Sequence, residues 1–229
     1  MFADEIYISK KHKLEDYLGL SLNMNSSKIT WERAINIFVS RIKERYFDAI
    51  DKLSDDGNFE EMFKYGFSIM TIECLLIDTF VKFRYGPNRI NNGEYRTIEI
   101  TDKYYNKSYN KLVYYRKNEA RFIKFMKEFF IFGPENAIIS KKFYKDIRCG
   151  IVHFGSTENT SRLTCDSSQL ITILDNGDIS VDVKIMHQML KSYFNQYIKE
   201  LKDSNQYELR KNFLMAMDYL CGIYEKNID

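Results

Sequence analysis

The stretch Phe143-Tyr-Lys-Asp-Ile-Arg-Cys-Gly-Ile-Val-His-Phe-Gly155 decides how the rest of the chain is read. Phe143, Ile147, Ile151 and Phe154 recur at helical spacing and form one apolar face. Ser140 can cap the start of such a helix, and Gly155 can close its end in a left-handed conformation. Arg148 and His153 stand off that face. Arg148 is a permanent cation whose planar donor fork suits phosphate. His153 is the type of side chain most readily set to give or take a proton near neutral pH. On an ideal helix, at about 100° per residue, the two point roughly 140° apart. Three arrangements bring both to one atom: a frayed last turn at His153, a bend at Gly150, or a second chain that supplies the missing group. Glycine costs roughly 1 kcal/mol against alanine inside a helix, so Gly150 points to close approach of another backbone or to a local packing need.

Upstream, Thr30 can cap a long helix from Trp31 to about Leu53, with Trp31, Ile35, Phe38, Ile42, Ala49 and Leu53 as its apolar stripe. Ser54-Asp-Asp-Gly57 reads as a turn. Asn58 with Glu61 makes a capping box for a second long helix, to about Arg84. From Gly66 to Phe83 that helix is apolar almost all round, which places it at the centre of a bundle. Glu73 and Asp78 stand out there, because a buried carboxylate needs a partner. A salt bridge or an exposed edge is the ordinary reading. The functional one has Glu73 orienting Arg148 or His153. Gly86-Pro87 ends the helix, and residues 86–110 form a polar insertion with a turn at Asn91-Asn-Gly93 and a short strand within Glu94 to Ile100.

From Lys103 to Lys127 eight Lys and Arg face only Glu119, with Tyr and Phe interleaved. Cations hold phosphates, and aromatic rings stack on unpaired bases. Lys103, Tyr104, Tyr105, Lys107, Tyr109, Lys111, Arg116, Lys117 and Arg121 are therefore the candidate RNA-binding residues. A solvated helix face is the plainer reading, and Phe122, Phe125, Met126 and Phe129 are assigned to the core.

Downstream, Ser156 to Ser168 reads as polar loop. Gln169–Leu174 and Ile179–Asp182 flank Asn176-Gly177, a two-residue hairpin signal, so a small β-hairpin is expected over about 169–182. A lone hairpin needs support, so it should pack on the bundle. Two more helices come after it, near Val183–Lys202 and Gln206–Lys226, the second capped by Asn205 with Glu208. His187 lies at the border of the first one's stripe and reads as a core-edge histidine.

The chain's 229 residues suffice for one sizeable core, and 45% hydrophobic with 29% charged residues is a globular balance. The net charge of +2 restricts any nucleic-acid surface to a local patch. Cys74, Cys149, Cys165 and Cys221 have no paired or metal-ligand spacing and fit reduced thiols of a cytoplasmic protein. No signal peptide, membrane span, metal site or cofactor is expected. The expectation is one mainly α domain over 1–229, with an unassigned segment 1–30, the insertion 86–110 and an additional C-terminal helix in 203–229. Leu14, Tyr17 and Leu18 fit a short helix within the first segment.

Arg148-Cys-Gly-Ile-Val-His153, late in a chain of amphipathic helices, resembles the R-x4-H signature of the HEPN superfamily. The resemblance covers roughly residues 31–202. It implies a helical bundle that dimerises and places two copies of the motif in one cleft. It also implies a metal-independent endoribonuclease, acting as a toxin or antiviral-defence effector in a bacterial cytoplasm, with an antitoxin or defence protein as possible partner. In that chemistry the RNA 2′-hydroxyl attacks its own phosphate. His153 serves as acid or base and Arg148 stabilises the phosphate charge. The products are a 2′,3′-cyclic phosphate and a 5′-hydroxyl. Such enzymes commonly carry a polar residue directly after the arginine, where this chain has Cys149, a weak donor and acceptor. The alternative is a non-catalytic dimer of the same fold that binds nucleotide, RNA or a protein.

Overall fold

The computed structural model describes residues 6–54, 59–87, 89–90, 94–95 and 116–222. Most of them are helical, as expected. A short antiparallel pair, β1 (Tyr7–Ser9) and β2 (His12–Lys13), precedes helix α1 (Leu14–Leu18). The next helix starts earlier than Thr30. Ser27 Oγ accepts the Thr30 N–H at 3.2 Å, so Ser27 is the cap and α2 spans Lys28–Ile42. It runs through a π-helical segment, Lys43–Phe47, into α3 (Asp48–Leu53).

The helix α4 (Phe59–Tyr85) is central, packing on α2's continuation, on the later helices and on a short strand, Arg162–Thr164. Ile69, Met70, Leu76 and Ile77 are fully buried, whereas Phe67 and Leu75 keep 46% and 45% exposure, so one edge of α4 is uncovered. Asn58 and the Asn91–Gly93 turn lie outside the described residues. After Gly86, at φ 82°, the insertion contributes the two-residue strands β3 (Arg89–Ile90) and β4 (Glu94–Tyr95), which pair antiparallel.

Then come α5 (Arg116–Phe129), α6 (Asn136–Lys142), a second π-helical segment (Phe143–Cys149) and α7 (Gly150–Phe154). The last helices among the described residues are α8 (Val183–Lys202) and α9 (Tyr207–Leu220). Asp182 caps α8 by accepting from the Ile185 N–H at 2.8 Å. Asn205 does not cap α9; the helix starts after Gln206 without a side-chain cap.

The core is aromatic. Phe38 lies 4.3 Å from Phe83, centroid to centroid, and 5.4 Å from Phe213 with the rings at 86°. Phe125, Phe129 and Phe130 surround Tyr193 at 4.8, 4.9 and 6.0 Å. Each such buried side chain contributes on the order of 1.5–3 kcal/mol, which ties helices distant in sequence into one body. Phe122, Phe125 and Met126 are core, as their spacing indicated.

The hairpin is present but differs in two respects. First, β6 (Ile171–Ile173) and β7 (Ile179–Asp182) pair with Ile173 opposite Ile179. The turn between them closes with the Gly177 N–H on the Leu174 carbonyl at 2.8 Å, and Gly177 alone takes positive φ, 81°. A two-residue turn of the primed type would require positive φ at Asn176 as well. Asn176 is instead committed through its side chain, donating to Thr160 and Asp178 and accepting from the Asp178 N–H. Second, the segment read as polar loop contains β5 (Arg162–Thr164), which joins β7 in parallel and makes a sheet of order β5-β7-β6. The central β7 is buried along its whole length. No helix among the described residues is long and apolar enough to cross a membrane.

Candidate functional site

The helix that carries Arg148 and His153 is one continuous rod from Asn136 to Phe154, widened in its middle. Ser140 is therefore not its cap; it sits inside α6 at 0% exposure. The widening shows in the Gly150 N–H, which reaches the carbonyl of Lys145, five residues back, as well as that of Ile147. Wider turns stretch the repeat toward four residues and beyond. Phe143, Ile147 and Ile151 are accordingly buried in a row, and the next place in that row falls to Gly155. Phe154, placed on the apolar face by an ideal repeat, is 76% exposed instead. Gly155 closes the helix at φ 68° with its N–H on the Ile151 carbonyl at 3.0 Å, as the sequence indicated.

Beyond Gly155 the chain folds straight back over the helix. A Cβ on Gly150 would stand 2.6 Å from the Ser156 carbonyl oxygen and 3.0 Å from the Glu158 nitrogen. The close approach expected at Gly150 is made by the protein's own returning backbone. Asp146 fastens it. Its carbonyl accepts from the Glu158 N–H at 2.8 Å. Its carboxylate, 2% exposed, accepts from Asn159 at 3.0 Å and Ser161 at 3.1 Å. Lys142 and Asp178, 2.8 Å apart, tie the same helix to the hairpin.

This widened helix brings the two chemical groups together within one chain. Arg148 Nη1 lies 3.4 Å from His153 Nε2. No fraying, bend or second chain is needed for the contact. Arg148 Nη2 donates to Asp78 Oδ2 at 2.8 Å, joining the motif helix to α4 across 70 residues of sequence. Nη1 also faces Cys149 Sγ at 3.9 Å, and Nε is buried without a hydrogen-bond partner. The guanidinium sits over the Tyr144 ring, 5.6 Å from its centre. Burial opposes the charge on Arg148, but the hydrogen bond and attraction to Asp78 outweigh it, so its pKa is raised. Burial first, then Cys149, pushes the Tyr144 hydroxyl up to about 12 against the pull of Arg148, so it remains a donor at neutral pH. His153 is exposed. A guanidinium only donates, so in this contact Arg148 Nη1 is the donor and His153 Nε2 the acceptor.

Sequence reasoning named the wrong acid on α4. Glu73 orients neither Arg148 nor His153; it lies fully buried, 3.8 Å from His187 Nδ1. Asp78 takes the role. The signal was available, since both carboxylates interrupt the same apolar stretch, and five residues on a helix turn them to different sides. His187 is a core-edge residue, 7% exposed.

The basic segment is only partly described. Lys103, Tyr104, Tyr105, Lys107, Tyr109 and Lys111 lie outside the described residues, and Arg116 and Lys117 open α5. Arg121 is not at the surface. At 3% exposure its guanidinium donates to the Gly86 carbonyl and packs 5.9 Å from the Tyr85 ring centre. It clamps the end of α4, because its helix turn faces the core beside Phe122 and Phe125.

No family model, no curated protein and no solved structure matches the chain.

Proposed function

We propose that the protein is a metal-independent endoribonuclease acting on single-stranded RNA at Arg148 and His153, in a homodimer of the HEPN type. The contact of 3.4 Å between Arg148 Nη1 and His153 Nε2 carries the reading, because it sets a base and a phosphate-binding cation at one point. His153 takes the proton of the 2′-hydroxyl. That oxygen attacks the adjacent phosphorus, and the 5′-oxygen leaves. Arg148 neutralises the charge that gathers on the phosphate oxygens. Asp78 positions Arg148 by holding Nη2, which leaves the His153-facing edge toward substrate. The leaving oxygen needs a proton, which the second copy's histidine supplies. Two exposed apolar side chains flank the site and suit such a partner: Phe154 directly after His153, and Leu75 one turn before Asp78.

An RNA with one 2′-deoxy linkage tests the chemistry. It should resist cleavage at that linkage alone, and a chelator should leave the rate at the other linkages unchanged, since the nucleophile is the substrate's own hydroxyl. Cleavage at the deoxy linkage, or loss of activity with chelator, would overturn the mechanism. RNA binding with no cleavage at all would instead identify a non-catalytic module, with Cys149 after Arg148 as the place where the catalytic pattern departs.

A further inference from the structure

Away from Arg148, α4 meets α3 and α8 at a second group of ionisable side chains. Glu73 is 0% exposed, and neither of its carboxyl oxygens has a hydrogen-bond partner. His187 Nδ1, also buried and without a partner, lies 3.8 Å from Glu73 Oε1. The other ring nitrogen is committed. Nε2 is 2.9 Å from Asp51 Oδ1, and Lys191 Nζ holds the two Asp51 oxygens at 2.6 and 2.9 Å. Asp182, 1% exposed at the start of α8, adds a negative charge that Glu73 feels. The Phe47 ring closes the imidazole off, 5.8 Å away at 65°. Cys74, next to Glu73, is fully buried as well.

The chemistry of this group is complementary. Asp51 is ionised beside Lys191 and accepts the proton of Nε2, which leaves Nδ1 a lone pair aimed at Glu73. A Glu73 carboxylate would face that lone pair, the charge of Asp182 and apolar walls. A neutral Glu73 carboxyl would face the lone pair with a donor, and closing the gap of 3.8 Å to hydrogen-bond length satisfies both atoms at once. We propose that Glu73 and His187 hold one proton between them in the folded protein. It rests on Glu73 Oε1 with His187 neutral, and it leaves by transfer to Nδ1, with Asp51 and Lys191 linking the ring to solvent. The transfer turns a carboxylic acid and an imidazole into a carboxylate and an imidazolium, and no other bond is made or broken.

The pair makes the bundle sensitive to pH in a defined direction. Burial, with Asp182, raises the Glu73 pKa well above 4.5, and burial lowers that of His187 below 6.5 in spite of Asp51. Below 4.5 Glu73 is protonated in both states and only the unfolded chain also protonates the histidine, so where folded His187 is neutral stability rises with pH. Between 4.5 and 6.5 the unfolded chain keeps its proton on the histidine and the folded chain keeps its own on Glu73, so where folded His187 is neutral the two effects offset. Above 6.5 only the folded chain retains a proton. Its folded-to-unfolded ratio then falls about tenfold per pH unit until Glu73 ionises.

Glu73→Gln tests this, because it keeps the shape and removes the proton site. Melting curves of both proteins from about pH 4 to about pH 9 isolate the contribution of Glu73. The two should melt together at the acid end. Above it, E73Q should become the more stable, the gap widening by ~3–5 °C per pH unit. The infrared carbonyl band of a neutral carboxylic acid should be present in the natural protein at neutral pH and missing from E73Q. Nitrogen NMR should find His187 protonated at Nε2 only. A variant less stable at every pH, together with an imidazolium protonated on both nitrogens, would mean an ion pair of Glu73 and His187 and would overturn the proposal. Should E73Q fail to fold, the natural protein's carbonyl band and imidazole tautomer decide the matter alone.

Discussion

Alanine at Arg148 is expected to lower RNA cleavage by about 10²–10³-fold, the scale of losing one preorganised donor to a transition-state oxyanion. Alanine at His153 should cost about 10²–10⁴-fold, the scale of a general acid or base. The two should not multiply, because both groups act on one phosphate. His153 is exposed, so its removal should leave melting unchanged within about 0.5 kcal/mol. Arg148 is more involved. Its loss leaves Asp78 without its cation, although that carboxylate is 25% exposed and water can reach it. Arg148→Lys separates the two roles: it retains a charge near Asp78 but not the fork that spans Asp78 and His153. Cleavage should remain low in R148K while melting recovers. If the folded alanine variants cleave RNA at the natural rate, the pair is structural and the proposed chemistry falls.

The second large effect is on the fold. In an ordinary helix Gly→Ala stabilises by up to about 1 kcal/mol. At Gly150 the sign should reverse. The added methyl would meet two backbone atoms of the returning chain, at 2.6 and 3.0 Å, which is far inside normal contact and involves nothing that can rotate away. The segment from Ser156 to Glu158 must lift, which breaks the buried hydrogen bond of the Glu158 N–H to the Asp146 carbonyl. Overpacking and a lost buried hydrogen bond together cost about 2–4 kcal/mol, so melting should fall by ~4–16 °C for a chain of this size. A G150A protein that melts as high as the natural one would show that the loop carries no such constraint.

Most of the helical frame was legible because it arises from period and punctuation. The stripe of Trp31, Ile35, Phe38 and Ile42, and the caps and stops at Gly86 and Gly155, rest on local chemistry. The expected N-caps at Thr30, Ser140 and Asn205 failed locally, each helix beginning at another residue; the other failures came where a residue is claimed by something distant. Asn176 reads as half of a two-residue turn, but its side chain belongs to Thr160 on another segment. Strand β5 has only three residues and no alternation to reveal it; its partner β7 supplies the pairing. Arg121 looks like one more cation of a basic run until the Gly86 carbonyl is found above it. The candidate site divides the same way. Arg148 and His153 were visible as a spacing. Their contact was not, because the angle was taken from a regular α-helix and the widened turn over Phe143–Cys149 changes it. Asp78 was visible as an oddity in an apolar helix, but its partner could not be told from Glu73's without the helix register in space.

The ion pair between Asp78 and Arg148 also sets an order of events during synthesis. The motif helix is a local structure, but its arginine is steadied by a carboxylate made 70 residues earlier. That carboxylate sits on α4, whose largest packing partner is α9, near the end of the described chain. A nascent chain that has just extruded Gly155 therefore holds both chemical groups without the frame that aligns them. Non-local contacts form late, after the entropy of closing long loops has been overcome. Under the proposed chemistry the growing polypeptide would spare the RNA around it, its own message included, until α9 has docked.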